Sequence, residues 1–328
     1  MDVAPVVAPG DNVNAPRPLV SVVIPVYGGA RFVGEAIASV LAHSSADVEV
    51  VAVDDASPDE SAAVVASIGD ARVRLLRHER TRGIAAARNT GLAAARGDLV
   101  AFLDQDDVWL SGRLHAQRAE LDRRAAEGVG LVFSAVTRRE SNGRERLMTK
   151  RVPERVHELE GGTLLARLLA DNFVVLGSAL IRRSVVDAAG AFDETIRGGS
   201  DDFDMILRCA EHCRFAYLPQ ALFVHREHGA NYTDSRRMTD ESLAVIDRVQ
   251  RRHPELARAA DIGRARALYR RAADSQLAGD RRAAVRDYRR VLSYRALVVR
   301  ACAGLALCAA GPLGDAIGRA WMRARRGP

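Results

Sequence analysis

The chain has 328 residues, of which 48% are hydrophobic and 27% charged, with a formal net charge of +6 at pH 7. This length suits one large α/β domain with a smaller appendage, and the hydrophobic content excludes a disordered protein. The charge is uneven, because 18 arginines and only six acidic residues lie between Arg251 and the end. A basic tail of about +12 is therefore joined to a first part of about −6, and this contrast requires an explanation.

Neither end of the chain has the composition of a membrane-inserted segment. Residues 1–18 lack a basic start followed by an apolar core, so they predict a disordered leader and not a signal peptide. The most apolar stretch, residues 301–313, is shorter than the ~20 residues that a spanning helix needs. We therefore expect a cytoplasmic protein, either soluble or peripheral at the inner face of the plasma membrane.

The four cysteines do not form a zinc-binding pattern, because no CxxC pair is present. Cys209 and Cys213 are four residues apart and can share one helix face. We expect reduced, buried thiols, and a redox or metal role is the alternative.

Apolar strands and helices alternate along the first part of the chain. Strands are predicted at residues 19–27, 48–53, 73–77, 99–103 and 129–137, and helices at residues 32–42, 61–68 and 84–95. Beyond them the pattern predicts a polar hairpin or loop at 138–151, an apolar segment at 174–181, a helix at 202–211, a strand at 215–223 and helices from 236 onward. This alternation predicts a doubly wound α/β fold with a parallel sheet.

Polar residues with ligand-binding chemistry follow three of the predicted strands: Tyr27, Asp54 with Asp55, and Asp104 with Asp106. In open α/β sheets, ligands bind beyond the carboxyl ends of the strands. Buried strand ends do not otherwise gain from carboxylates, because unpaired charges are costly to desolvate. We therefore expect a ligand site at this edge of the sheet.

Asp104 and Asp106 belong to the sequence AFLDQDDVW. Carboxylates two residues apart on an extended segment point the same way and can hold Mg²⁺ or Mn²⁺ through oxygen. The ion would offset the charge that develops on a leaving nucleoside diphosphate. The alternative is a solvated acidic turn before a helix. The apolar strand before the motif and Trp109 after it favour the metal site.

Two further segments have a ligand-binding and a structural interpretation. Asp54 and Asp55 can accept a hydrogen bond from a base N–H, whereas Asp55 or Ser57 can instead cap the next helix. Arg88, in the segment RGIAAARNTG, can contact the nucleotide or its phosphates. Arginine is equally suited to a structural ion pair with a strand-end aspartate.

Two late segments carry candidate catalytic and phosphate-binding groups. Asp201 and Asp202 follow a glycine-rich loop and can supply the general base that deprotonates an acceptor hydroxyl; the alternative is that they complement a helix dipole. Arg226 and His228 can close over a pyrophosphate from a mobile loop. The competing interpretation, a metal-binding pair of His225 and His228, lacks a third ligand at a fitting spacing.

Together these segments resemble the family 2 glycosyltransferases, which are inverting enzymes that use nucleotide sugars. The matching segments run in the family's order from about residue 19 to 235: SVVIPVYGGARFVGEAIASVL, VAVDDASPDE, RGIAAARNTGLAAARGDLVAFLDQDDVW, GSALIRRSVVDAAGAFDETIRGGSDDFDMILR and FVHREHGANYTDS. The resemblance implies a GT-A fold, with a mixed, mainly parallel sheet flanked by helices, over residues 19–235. It covers neither the leader nor the helical region 236–328.

The resemblance also implies a donor site. Its nucleotide-binding and donor-binding residues are Pro25, Val26, Tyr27, Asp54, Asp55, Arg88, Asp104, Arg226 and His228. Pro25, Val26 and Tyr27 would line the base pocket. Asp54 and Asp55 would bind the base, and Arg226 and His228 would contact the diphosphate. Mn²⁺ or Mg²⁺ is expected at Asp106 and Asp104, with Asp106 as the more direct ligand.

The catalytic base implied by the resemblance is Asp202, the aspartate of the family's usual Glu-Asp pair. The chain has Asp201 where the family has glutamate, so Asp201 is kept as a second candidate. Ala56 stands where glycine is common, which is a minor departure. The expected reaction transfers a sugar to a hydroxyl of a glycan or lipid-linked acceptor in polysaccharide or cell-envelope biosynthesis. The resemblance to the family implies a UDP-sugar as the donor.

The helical region 236–328 combines a repeat-like unit with a basic end. Small and aromatic residues at 268–288 have spacings like one tetratricopeptide unit, which must pack on neighbouring helices. Residues 296–313 are apolar and residues 319–326 basic, a combination that suits the interface of an anionic membrane. A helical cap with solvated arginines is the alternative.

Three other function classes fit the sequence less well. A sugar nucleotidyltransferase would need a glycine-rich loop and a lysine after the first strand, and neither is present. A non-catalytic scaffold or glycan-binding protein would not need Asp104, Asp106 and Asp202. A nucleic-acid binder is disfavoured because the basic tail has no interleaved aromatic residues or known motif.

Overall fold

The computed structural model describes residues 3–4, 19–42, 47–148, 151–228, 235–311, 314 and 316–317. The predicted basic segment 319–326 and most of the predicted leader lie outside the described residues. The chain divides into two compact units. The first comprises Met1–Leu164, Phe173–Arg197 and Asp201–Tyr232, and the second comprises Leu165–Asn172, Gly198–Ser200 and Thr233–Pro328. The second unit thus includes two short segments from earlier in the chain.

The first unit contains one mixed sheet. Its described strands are β1 (Val3–Ala4), β2 (Val20–Val26), β3 (Val48–Asp54), β4 (Val73–His78), β5 (Leu99–Phe102), β6 (Val108–Trp109), β7 (Val129–Arg139), β8 (Glu145–Leu147), β9 (Ala179–Arg182) and β10 (Arg214–Arg226). They are ordered β1-β4-β3-β2-β5-β9-β7-β10-β6, and β8 pairs with β7. Strands β4, β3, β2 and β5 are parallel neighbours, so their carboxyl ends lie at one edge.

Helices cover both faces of the parallel part of the sheet. The helices up to residue 210 are α1 (Val33–Ala42), α2 (Ser61–Ser67), α3 (Ile84–Ala94), α4 (Arg113–Arg123), α5 (Gly161–Ala170), α6 (Arg183–Ala189) and α7 (Asp201–Ala210). Every residue of β2 and β3 is buried, because alternate side chains point to opposite faces. Val22 and Ile24 pack with α1, whereas Val51 and Val53 pack with Ala87 of α3.

The mixed α/β fold with flanking helices and a helical C-terminal region confirms the fold that the resemblance implies. The fully parallel sheet that alternation alone predicts is wrong beyond β5. Strand β9 is antiparallel to both of its neighbours, and β6 is antiparallel to β10. A short apolar run indicates burial but not strand direction, so this part of the topology is not encoded in the pattern.

The second unit is built from α8 (Ser235–Arg252), α9 (Ala257–Leu277), α10 (Arg281–Ser293) and α11 (Val298–Ala309). Gly279, with a φ of 83°, permits the turn between α9 and α10, and Asp280 caps α10 by accepting from Ala283 N at 3.0 Å. Small residues allow close packing, since Gly304 lies against the ring of Tyr288. Among the described residues, no helix is long and apolar enough to cross a bilayer.

Candidate active site

The turn after β5 is held against the end of β2. The backbone N–H of Tyr27 donates to Gln105 Oε1 at 2.9 Å, and Gln105 Nε2 donates to the Tyr27 carbonyl at 2.9 Å. Pro25 and Val26 are buried inside β2, whereas Tyr27 is 51% exposed. Of the three residues expected to line a base pocket, Tyr27 therefore presents its ring at the surface.

Asp54 ends β3 as a fully buried carboxylate. Its Oδ2 accepts from Arg77 Nε at 3.2 Å and from the Ser57 backbone at 3.4 Å. Its Oδ1 has no hydrogen-bond partner among the described residues. A buried acceptor without a donor costs ~1–3 kcal/mol, so Asp54 Oδ1 is an energetically unfavourable group at the end of β3.

Asp55 connects the end of β3 to the loop that begins α3. It accepts hydrogen bonds from Arg82 N at 2.9 Å, Gly83 N at 2.7 Å and His78 Nδ1 at 2.6 Å. His78 is buried, and its Nε2 lies 2.8 Å from Thr90 Oγ1. The alternative that Asp55 or Ser57 caps the next helix is wrong, because α2 begins at Ser61 and neither residue is its N-cap.

Arg88 lies on α3 and joins two carboxylates from distant parts of the chain. Its Nη2 donates to Asp104 Oδ1 at 2.7 Å, and its Nη1 donates to Asp201 Oδ2. The Arg88 side chain is only 5% exposed. Burial lowers the pKa of Arg88, but the charges of Asp201, Asp104 and Asp202 outweigh burial and raise it overall. Arg88 is therefore a fixed cation between the two acidic segments.

The two candidate metal ligands are accessible carboxylates. The Asp104 side chain is 41% exposed and that of Asp106 18% exposed. Burial raises the pKa of Asp106, and the charge of Asp104 raises it further, although hydrogen bonds from its own backbone and from His228 act in the opposite direction. A divalent cation would relieve this repulsion. Hard oxygen donors of this kind fit Mg²⁺ or Mn²⁺.

The described residues contain no complete protein-only metal cluster of three or more His, Cys, Asp or Glu side chains. A Mg²⁺ ion is commonly held by one or two carboxylates together with substrate phosphates and water. Two carboxylates such as those of Asp104 and Asp106 match the protein's share of a site of that kind.

The end of β10 packs on the acidic turn. Arg226 Nε donates to the Asp106 carbonyl, and its Nη1 pairs with Glu35. His228 Nε2 lies 3.0 Å from Asp106 Oδ2, and its ring stacks on Phe32 at 4.4 Å between centroids. Both residues thus contact the acidic turn directly.

His225 contacts a different carboxylate, since its Nδ1 lies 3.1 Å from Asp107 Oδ1. Asp107 also accepts from the Arg226 backbone N–H at 3.0 Å. Burial raises the pKa of Asp107 to about 6. His225 and His228, the two histidines of the alternative metal-binding pair, thus contact different aspartates.

Asp201 and Asp202 begin α7 but occupy different environments. Asp201 is 2% exposed and bonded to Arg88. Asp202 is half-buried, and its Oδ1 accepts from the Phe203 backbone at 2.6 Å. The preceding Gly199 has a φ of 98°, a conformation that glycine adopts without strain. The fold therefore leaves Asp202 as the more accessible carboxylate of the pair.

Several contributors to the site were not predicted from the sequence. Gln105, His78 and Phe32 act through hydrogen bonds or stacking on the predicted residues. Asn89 accepts from Phe192 N at 2.7 Å and donates back to the Phe192 carbonyl at 3.0 Å. Gln105 and Asn89 both lie inside the motifs that the sequence analysis singled out. Their hydrogen-bond partners could not be inferred, because those partners are about 80 to 100 residues away in sequence.

Comparisons with known proteins identify the family of this chain. Residues 21–190, more than half of the chain, match the model of Glycosyl transferase family 2. The succinoglycan biosynthesis protein ExoO of Rhizobium meliloti is 34% identical over 216 residues, covering 63% of this chain and 60% of that protein. The Escherichia coli protein WfgD, a UDP-Glc:alpha-D-GlcNAc-diphosphoundecaprenol beta-1,3-glucosyltransferase, is 39% identical over 99 residues, covering 30% of this chain and 39% of WfgD.

The chain thus spans less than two thirds of the length of either relative. Among solved structures, S. aureus TarS 1-349 in complex with UDP-GlcNAc superimposes with a TM-score of 0.63 at 16% identity, covering 91% of this chain and 88% of that one. At this identity the likeness supports the fold alone. The family match leads to one conclusion: the chain belongs to glycosyl transferase family 2.

Proposed function

We propose that the protein transfers a sugar, with inversion, from a nucleotide diphosphate donor to an acceptor hydroxyl. The observation that carries this proposal is the placement of Asp104 and Asp201 on the single buried guanidinium of Arg88. This cation brings the start of α7, with Asp202, next to the acidic turn. The sites proposed for the leaving group and for the base would thereby be adjacent, as a displacement reaction requires.

The donor nucleotide would bind along the carboxyl ends of β2 and β3. The exposed ring of Tyr27 can stack on a base, and the unsatisfied Oδ1 of Asp54 can accept from a base N–H. Asp55 would support this pocket by holding the Arg82–Gly83 loop. A UDP-sugar is the favoured donor, because WfgD is named for UDP-Glc.

Mn²⁺ or Mg²⁺ would be held by Asp106 and Asp104. When bound, the ion would supply positive charge that stabilises the departing nucleoside diphosphate. Arg226 and His228 contact the same turn. We propose that both residues keep Asp106 in place and contact the diphosphate, and that Arg226 contributes positive charge there.

Asp202 would act as the general base. Its carboxylate would take the proton from the acceptor hydroxyl while the acceptor oxygen bonds to the anomeric carbon. The bond from that carbon to the diphosphate oxygen breaks on the opposite side, which inverts the configuration. Asp201 would hold Arg88 in position, since its carboxylate is paired with that guanidinium.

The acceptor would be a glycan or a lipid-linked sugar in polysaccharide or cell-envelope biosynthesis. Two observations support it: the name of WfgD includes a diphosphoundecaprenol acceptor, and ExoO is a succinoglycan biosynthesis protein. We also propose that the basic C-terminal region makes peripheral contact with the inner face of the plasma membrane. Nucleic acid is not an expected partner.

The test is release of nucleoside diphosphate by the purified full chain from UDP-, GDP- and dTDP-sugars, with Mn²⁺, Mg²⁺ or EDTA. Asp106→Ala and Asp202→Ala would be assayed beside Asp122→Ala, a control near the end of α4 whose side chain is 79% exposed. Metal-dependent release from one donor, lost in the first two variants and kept in the control, is the expected result. Release that is equal in EDTA, or unchanged by Asp202→Ala, would contradict the proposed chemistry.

A further inference from the structure

The exposed arginines of α9, α10 and α11 differ from the arginines of the first unit in their ion pairing with carboxylates. Most described arginines of the first unit lie within ion-pair distance of a carboxylate, as Arg118 does with Asp47 at 2.6 Å. No ion pair within the described part of the chain involves the following exposed arginines of the three helices and the α10–α11 turn: Arg270, Arg282, Arg289, Arg290, Arg295 and Arg300. These cations are available to an external anion.

The carboxylates of α10 and its N-cap are used inside the second unit. Asp287 is fully buried and accepts from Arg271 Nε at 2.6 Å, with Arg286 Nε at 3.4 Å. Asp280 accepts from the Ala283 backbone at 3.0 Å and pairs with Arg236 at 2.7 Å. Both carboxylates are thus committed within the second unit, and of the exposed arginines of α10 it is Arg286 that pairs with one of them.

Helical geometry places three arginines on one side of α10. Arg282, Arg286 and Arg289 follow the i, i+4, i+7 spacing of a single helix face, and all three are exposed. We call this the arginine face. The buried positions of α10, Ala284 and Val291 among them, lie on the opposite side. Packing of α10 on its neighbours thus leaves the arginine face to solvent.

An exposed apolar element adjoins these cations in the chain. Helix α11 packs on α10 through Ala301 and Gly304, while Val299 is 83% exposed beside Arg300. Burying Val299 against protein or lipid would be favourable, whereas leaving it in water is not. Basic and apolar side chains together are typical of helices that lie at the interface of a membrane.

We propose that the arginine face binds a surface of anionic phospholipid. The inference rests on the proposed membrane contact and assigns that contact to a particular surface. Each arginine near an anionic surface strengthens binding about five-fold, so three contribute roughly 100-fold. The attraction is electrostatic, and salt should weaken it because the Debye length shortens from ~10 Å at 0.1 M to ~3 Å at 1 M.

The experiment is co-sedimentation of the full chain with phosphatidylcholine vesicles that contain or lack roughly 30–40% phosphatidylglycerol, which supplies the anionic surface charge. The test variant carries Arg282→Gln, Arg286→Gln and Arg289→Gln. The control carries Arg123→Gln, Arg144→Gln and Arg155→Gln, three exposed arginines of the first unit, and so has the same net charge. Circular dichroism would confirm that both variants are folded.

We expect the wild type and the control to bind anionic vesicles, and the test variant to bind roughly 100-fold more weakly. Equal binding by test variant and control would overturn the assignment to the arginine face while leaving membrane contact itself intact. Absence of wild-type binding to vesicles that contain phosphatidylglycerol, or equal binding to vesicles with and without it, would overturn binding to an anionic phospholipid surface. Neither outcome alters the glycosyltransferase assignment, which nucleoside diphosphate release tests separately.

Discussion

Arg88 and Asp201 form a buried ion pair between residues 113 positions apart in the chain. Because Arg88 also bonds Asp104, removing the cation would leave two carboxylates facing each other, one of them at 2% exposure. Breaking a buried pair by removing one partner costs ~3–5 kcal/mol. We expect Arg88→Met to lower the free energy of unfolding in urea by that amount, and Arg88→Lys to lower it less.

A double-mutant cycle separates the pair from other effects of the Arg88 substitution. If the ion pair is the cause, Asp201→Asn combined with Arg88→Met should be less destabilising than the sum of the two single changes. Additive effects would show that Arg88 stabilises the fold through other contacts, such as the ring of Phe192 at 5.6 Å.

Asp202 and Asp201 should respond differently to the same substitution. Asp202→Asn removes the proposed base, so we expect the catalytic rate to fall ~10²–10⁴-fold while donor affinity stays within about two-fold, a change of less than ~0.5 kcal/mol. Asp201→Asn should chiefly reduce stability, since it weakens the bond to Arg88. Steady-state kinetics with matched urea unfolding would distinguish the two, and a reversed pattern would make Asp201 the base.

His78 should influence donor affinity without touching the donor. Its hydrogen bond to Asp55 is buried and involves a carboxylate, and such bonds contribute ~1.5–3 kcal/mol. We expect His78→Leu to weaken UDP binding about ten-fold or more by calorimetry, which corresponds to at least ~1.4 kcal/mol. His78→Asn, which keeps a donor near Nδ1, should restore part of the loss. Failure of Asn to restore any affinity would indicate a packing role for His78 instead.

Gly91 should be intolerant of a methyl group. A Cβ at this position would lie 2.4 Å from Val23 Cγ1 and 3.2 Å from Val53 Cγ2. We expect Gly91→Ala to destabilise the chain by ~1–3 kcal/mol, the usual cost of overpacking. Adding Val23→Ala makes room for the methyl group and should recover part of that loss. A neutral Gly91→Ala would show that α3 can move away from the sheet.

The parts of the fold that follow from local pattern were predictable. Every residue of β2 and β3 is buried, and their β-branched runs identified them, whereas β9 could be recognised as apolar but not as antiparallel. Helix α4 was not predicted, because its sequence is mostly polar and its buried residues include Arg113 and Gln117. Such buried polar residues are visible only with their partners, the carbonyls of Ala179 and Ser178.

The motifs identified the segments that meet at the strand ends, but they did not assign the contacts between those segments. Asp104 and Asp106 stood out by their spacing, and their place at a strand end followed from the strand before them. The division of labour between Asp201 and Asp202 depends on which carboxylate reaches Arg88. That contact joins residues 113 positions apart in the sequence, so no local propensity predicts it.

The most direct test of the proposed mechanism is calorimetric binding of UDP to the full chain in Mn²⁺ and in EDTA, with wild type and Asp106→Ala. The proposal predicts binding at least ten-fold tighter in Mn²⁺ for the wild type, equivalent to ~1.4 kcal/mol. It predicts little effect of Mn²⁺ for Asp106→Ala. Equal UDP affinity of the wild type in Mn²⁺ and EDTA would contradict a metal-assisted donor site at Asp104 and Asp106.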